Sequence, residues 1–124
     1  MEAYITDLHV KKNAKPGYLV AIEKDTTGFD IKRVFYICGL NDHDENIRGH
    51  HGHTNTWQYI VCLNGRVAIE TTFKDTGNKQ TFSLDTSTKG LMLPPNNYIV
   101  MNLERNSILM VLCDTEFKDE ISYT

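Results

Sequence analysis

Apolar residues along this chain come in short runs, and Gly, Pro, Asn or Asp breaks them roughly every ten positions. Hardly any run keeps a helical period, and several alternate with polar residues. The pattern predicts an all-β fold of about eight or more short antiparallel strands closed into a sandwich or barrel. Residues 4–10 make a weak strand, 15–17 a turn (KPG), and 18–22 (YLVAI) a strong short strand. Residues 26–28 (TTG) read as a loop. Residues 31–38 (IKRVFYIC) alternate imperfectly, as expected of a strand covered on both faces. Residues 41–46 (NDHDEN) make a polar loop.

The clearest hairpin joins residues 57–63 to 66–73 across Asn64-Gly65, a two-residue turn signal. Val67, Ile69, Thr71 and Phe73 share one face of its second arm; Ala68, Glu70 and Thr72 share the other. Residues 75–78 (DTGN) turn into a further strand, 79–84, and 85–90 form a polar loop. A strand from Leu91 to Leu93 stops at Pro94-Pro95, which cannot sit inside a ladder. A second hairpin is expected between 98–103 and 107–113 across residues 104–106. The tail from Asp114 is acidic, and its pattern leaves open whether it packs or frays.

A length of 124 residues is one domain's worth, residues 1–124, with no linker, repeat or low-complexity stretch. The formal net charge of −3 and the scattered basic residues argue against nucleic acid or an anionic membrane as partner. No stretch is apolar for long enough to span a bilayer, and the N-terminus lacks the regions of a signal peptide. Cys38, Cys62 and Cys113 have no metal-type spacing and lie in apolar segments. They read as buried free thiols of a reducing compartment, with the cytoplasm as the default.

The candidate chemistry sits in residues 48–65, RGHHGHTNTWQYIVCLNG. On a strand, side chains two apart share a face, so His51 and His53 would enter one cavity together. A pair of imidazoles there can move protons near neutral pH or bind a metal. His50 would point to the other face, toward solvent. The plainer alternative makes His51 and His53 polar residues satisfied by backbone at a strand entry.

The spacing H-x-H, four residues, Gln58, six residues, Gly65 resembles the first motif of the cupin superfamily. Gln58 stands where metal-binding cupins usually carry Glu, and residues 90–102 (GLMLPPNNYIVMN) supply no late histidine. Two imidazoles with an amide make a poor divalent-metal site, so no metal and no other cofactor is expected.

Four stretches follow each other as in a narrower group: GYLVAIE, FDIKRVFYI, RGHHGH and residues 58–65. With the ending ILMVLCDTEFKDEISY, they resemble the WxcM-like sugar-nucleotide 3,4-ketoisomerases, which act on dTDP-4-dehydro-6-deoxyglucose. That resemblance implies a cupin-type jelly roll in which His51 and His53 transfer protons without a metal. It implies roles for Arg48 before the pair and for Arg33 and Tyr36 on the preceding strand. Arg48 would stabilise enediolate charge, and Arg33 would do the same or grip a diphosphate. Tyr36 would hydrogen-bond a sugar hydroxyl. Gln58, Trp57 and Tyr98 are candidates for contact with the substrate, although Trp57 and Tyr98 equally suit a core. Surface ion pairs are the plainer alternative for Arg33 and Arg48.

The resemblance also implies a dTDP-linked keto-deoxysugar substrate and a homodimer that exchanges N-terminal strands. The chain departs from the group at Pro16, at Thr54 and at Tyr98-Ile99, where a basic residue or Trp-His is usual. Two rival readings remain: a metal-dependent small cupin enzyme, and a nucleotide-sugar-binding cupin without activity.

Overall fold

A computed structural model describes residues 1–12 and 16–124. Of the expected 15–17 turn, Lys15 lies outside the described residues; Gly17 has the positive φ (90°) a turn of this kind uses. Twelve strands run in chain order: β1 (Tyr4–Asp7), β2 (Val10–Lys11), β3 (Leu19–Val20), β4 (Arg33–Cys38), β5 (Glu45–His53), β6 (Gln58–Asn64), β7 (Val67–Phe73), β8 (Lys79–Leu84), β9 (Lys89–Leu93), β10 (Asn97–Glu104), β11 (Ile108–Cys113) and β12 (Ser122–Tyr123). They form two five-stranded antiparallel sheets, ordered β1-β9-β6-β11-β4 and β12-β5-β10-β7-β8, with β2 and β3 paired apart. This is the all-β architecture the hydrophobic pattern predicts. Among the described residues no helix is long and apolar enough to cross a membrane.

The core lies between the sheets. Ile60, Cys62, Leu91, Leu109 and Val111 face Val67, Ile69, Ile99, Met101 and Leu103. Each large aliphatic side chain buried there contributes about 1.5–3 kcal/mol. A smaller cluster covers the outer face of the first sheet, where Val20, Ile22, Phe29, Ile31 and Trp57 pack on Tyr59, Val61, Met92 and Leu112. That second layer explains why residues 58–62 of β6 are all buried, with no alternation. The ring of Tyr59 occupies the space a Cβ on Gly90 would need, and its hydroxyl meets Thr6 Oγ1 at 2.6 Å, which ties β1 to the sheet.

Several sequence expectations change. The two presumed hairpins are corners. β6 pairs with β9 and β11, whereas β7 pairs with β8 and β10, so Asn64-Gly65 carries the chain from one sheet to the other. Gly65 has φ 79°, but Asn64 is not among the positive-φ residues, and a type I′ turn needs both. The 104–106 connection likewise joins β10 of one sheet to β11 of the other. The two corners brace each other. Buried Ser107 donates to Arg66 O (2.8 Å) and accepts from Arg66 N (3.2 Å), and Asn64 Nδ2 donates to Asn106 O (2.9 Å). The DTGN turn, by contrast, closes a true hairpin between β7 and β8, with Phe73 N donating to Asn78 O.

Where residues 26–28 are expected as a loop, Thr26 and Thr27 end one helical turn, α1 (Lys24–Thr27), stopped by Gly28 in the left-handed region. Of residues 18–22 only β3 is strand. β4 alternates cleanly: Arg33, Phe35 and Ile37 face in, while Val34, Tyr36 and Cys38 face solvent. It is an edge strand with one covered face, so Cys38 is an exposed thiol; Cys62 and Cys113 are buried as expected. The acidic tail packs. After a 3₁₀ turn (Phe117–Asp119), β12 lies antiparallel to the end of β5.

Candidate active site

β5 carries the site, and a bulge decides which of its residues take part. Arg48 and His51 are three apart, so a regular strand would put them on opposite faces. In the ladder with β10, Ile99 pairs with His51 and Val100 with Gly49, which leaves His50 as the extra residue. Gly49 (φ 99°) and His50 (φ 61°) both take left-handed backbone there. A Cβ on Gly49 would stand 2.7 Å from Ile99 O, so the position requires glycine. The inserted residue restores Arg48 to the face of His51 and His53. His50 is exposed, as the sequence suggested, but at the rim of the same cavity and not away from it. The second glycine of RGHHGH has a different task. A side chain on Gly52 would collide with the ring of Tyr123, so its absence lets the tail lie across β5.

A cavity of about 620 Å³ opens beside this strand, within the range of small-molecule sites. Its floor is apolar, with Ile60, Ile99, Met101 and Val111; its polar wall holds Arg33, Arg48, His51, His53, Gln58, Glu120 and Ser122. The two imidazoles meet edge to face with centroids 5.0 Å apart. His51 is half-buried and His53 is 6% exposed. Burial lowers the pKa of His53; Glu120 opposes this, and His51 and Arg33 push it further down. Burial therefore favours the neutral form of His53 near pH 7.

Glu120, on the tail that the sequence left undecided, was not among the residues expected here. Its carboxylate is 6% exposed and accepts from Arg33 Nη1 at 2.8 Å. Its other oxygen lies 4.0 Å from His53 Nδ1, and Ser122 Oγ lies 3.3 Å from the same nitrogen. The only sequence signal was an acidic residue followed by a short strand-like end. The guanidinium of Arg33 lies 4.5 Å from the centre of the Phe35 ring and 5.0 Å from that of Phe117, which is 73% exposed at the cavity mouth. Among the described residues Arg48 forms no ion pair.

Of the residues singled out in the sequence, His51, His53, Arg48, Arg33 and Gln58 come together. Tyr36 does not: it points out of β4 and is 71% exposed, because odd-numbered residues of that strand face inward. Trp57 belongs to the outer cluster beneath the N-terminal segment. Tyr98 alternates away from Ile99 and stands 6.4 Å from Tyr123 outside the cavity wall. Ile99, where the resembled group carries histidine, is part of the cavity floor beside His51, its ladder partner.

The donor set does not suit a metal. Among the described residues no group of three or more His, Cys, Asp or Glu side chains is placed to hold one. The Gln58 amide donates to Cys113 Sγ (3.5 Å), and Glu120 is held by Arg33. The Cys113 thiol is pushed up to about 11 by burial, so it is protonated at neutral pH and no nucleophile.

With this geometry on the page, the chain can be set beside known proteins. Residues 1–123 match the family described as FdtA, WxcM-like, C-terminal. None of the curated proteins matches it in sequence. Among solved structures it is similar to WlaRA, a TDP-fucose-3,4-ketoisomerase from Campylobacter jejuni. The identity is 31%, over 98% of this chain and 89% of that one, with a TM-score of 0.84. It is also similar to QdtA, a sugar 3,4-ketoisomerase from Thermoanaerobacterium thermosaccharolyticum in complex with TDP. Here the identity is 29%, over 97% of this chain and 87% of that one, with a TM-score of 0.83. A mutant of QdtA in complex with TDP-4-keto-6-deoxyglucose matches at 28% identity, over 97% and 86% of the two chains, with a TM-score of 0.82.

Two outcomes follow from the site's construction. Gly49→Ala forces a side chain against Ile99 O at positive φ and lowers stability by about 1–3 kcal/mol, read as a reduced denaturant midpoint. The second concerns acid. His53 binds a proton less readily folded than unfolded, so folding stability is full above the unfolded value of about 6.5 and falls as pH drops through the window below it. Comparing denaturant midpoints between pH 7.5 and 5 tests this, because His53→Gln removes that part of the decline while leaving the part due to carboxylates.

Proposed function

The chain belongs to the FdtA family, WxcM-like, C-terminal, and from that premise we propose that it is a sugar-nucleotide 3,4-ketoisomerase acting on a dTDP-4-keto-6-deoxyhexose. The observation that supports this most directly is the convergence of His51, His53 and Arg48 on one cavity. The substrate class follows the similar enzymes, one bound to TDP and one to TDP-4-keto-6-deoxyglucose.

The reaction moves a ketone from C4 to C3 without external oxidant. The proton on C3 leaves to a base and O4 gains one, giving an enediol; C4 then receives a proton as O3 surrenders its hydroxyl proton and becomes the carbonyl. One carbon is oxidised as its neighbour is reduced, so the electrons balance within the sugar. His51, the more accessible ring, takes the C3 proton, and His53 beside it holds or returns protons in its neutral form. Two imidazolium rings 5.0 Å apart would repel, so a charge on one ring disfavours a charge on the other. Arg48, unpaired among the described residues, is the cation available to the enediolate oxygen. Gln58 contributes amide hydrogen bonding from the cavity wall. Arg33 is already committed to Glu120, which removes it from diphosphate binding as a free charge. The solvent-facing Tyr36 reaches the substrate only if another surface closes over β4.

The active form is proposed to be a cytoplasmic homodimer in which β1 exchanges between copies. Within one chain β1 already lies along β9 as an edge strand, and the same ladder can form in trans. Sedimentation equilibrium reads the mass directly: a species of two chains is expected, and deleting residues 1–7 leaves one.

The activity is tested by incubating the protein with dTDP-4-keto-6-deoxyglucose in deuterated water. Deuterium enters the ring at C3 or C4 and a 3-keto product forms. His51→Asn lowers kcat by about 10²- to 10⁴-fold with little change in KM. Tight binding without exchange would instead make the chain a nucleotide-sugar-binding protein.

A further inference from the structure

We propose that Glu120 of the C-terminal segment is a positioning residue for His53, fixing its tautomer through Nδ1 while Arg33 locks the carboxylate in place. The proposal rests on the reading of the histidine pair as proton carriers, but its geometry stands apart from any substrate.

His53 Nδ1 faces two oxygens, Ser122 Oγ at 3.3 Å and Glu120 Oε2 at 4.0 Å. An ionised carboxylate only accepts, and a lone pair on Nδ1 would be repelled by it. The proton of the neutral ring therefore sits on Nδ1, and the basic lone pair is left on Nε2. Ser122 alone would not decide this, since a hydroxyl donates or accepts equally well.

Arg33 explains why Glu120 does not swing onto the imidazole. A carboxylate with 6% exposure needs a partner, and the 2.8 Å bond from Arg33 supplies it. The guanidinium is itself flanked by the Phe35 and Phe117 rings, so the donor cannot readily turn away. The charged or titratable groups acting on His53 are His51 on β5, Arg33 on β4 and Glu120 on the tail. Arg33 and Glu120 offset each other while the ring is neutral. When the ring gains a proton during turnover, the nearer carboxylate oxygen stabilises the imidazolium. The pairing of β12 with β5 holds the arrangement, because Ser122 sits opposite His53 in the ladder and Glu120 lies two residues earlier.

The test uses the full-length protein labelled with ¹⁵N at histidine. In the wild type the neutral His53 ring shows the Nδ1–H tautomer; an Nε2–H tautomer overturns the proposal without any variant. In Glu120→Gln, which keeps the shape and removes the charge, the tautomers mix and the His53 pKa falls. Its kcat drops by about 10²-fold or more while KM changes by less than about threefold, and the acid limb of the pH profile moves to lower pH. Glu120→Asp recovers part of the tautomer preference and part of kcat. Wild-type His53 shifts and titration in Glu120→Gln sink the proposal even if activity is lost. A wild type that never turns over the keto sugar, with His53 responding to Glu120 as stated, sinks the functional reading and leaves the positioning role standing.

Discussion

Side chains on a strand alternate, and that rule would separate Arg48 from the two histidines with which it shares a cavity. One extra residue in β5 removes the conflict. The bulge at Gly49 and His50 shifts the parity of everything before it, so Arg48, His51 and His53 all enter the same cavity. The shift is possible only because Gly49 lacks the Cβ that would strike Ile99 O. A glycine two residues before the pair is therefore a geometric requirement of the site, and the chemistry attributed to the pair presupposes it.

The electrostatics of the cavity depend on a second, longer-range connection. Arg33 arrives from the edge strand of one sheet, His53 from the other sheet, and Glu120 from the tail that returns across the opening. Their charges nearly cancel while His53 is neutral, which would suit the proton-carrying role proposed for that ring. Removing Arg33 leaves an uncompensated carboxylate with little access to water. The same tail supplies Phe117 at the rim and Tyr123 over Gly52, so a segment of about ten residues builds one wall of the site.

The corners show why a strong local signal can mislead. Asn64-Gly65 has the composition of a tight hairpin, and β6 and β7 are both good strands. Yet β6 already has neighbours on both edges, and both of its faces are covered. Its ladder partners come from more than thirty residues further on, β9 and β11, and the local turn gives way to them. Ser107 and Asn106 complete the corner from the other crossing, which no local window contains. The 75–78 turn, where β7 and β8 are free to pair, kept its hairpin.

The chain's own pattern of short apolar runs settled that it is a β protein, since strand periodicity and turn residues are local properties. It also located the histidine pair, because two residues two apart share a face wherever they sit in a strand. It marked Arg33 and Gln58 through the resemblance, along with Tyr36, Trp57 and Tyr98, which alternation and outer packing direct away from the cavity. The tertiary structure decided which neighbours each strand took, that Arg48 joins the pair by way of a bulge, and that Glu120 closes the site. Those outcomes depend on contacts between residues far apart in the chain, here 67 positions between His53 and Glu120 and 87 between Arg33 and Glu120. A carboxylate's meaning is set by what it is buried against, and burial is a property of the whole fold.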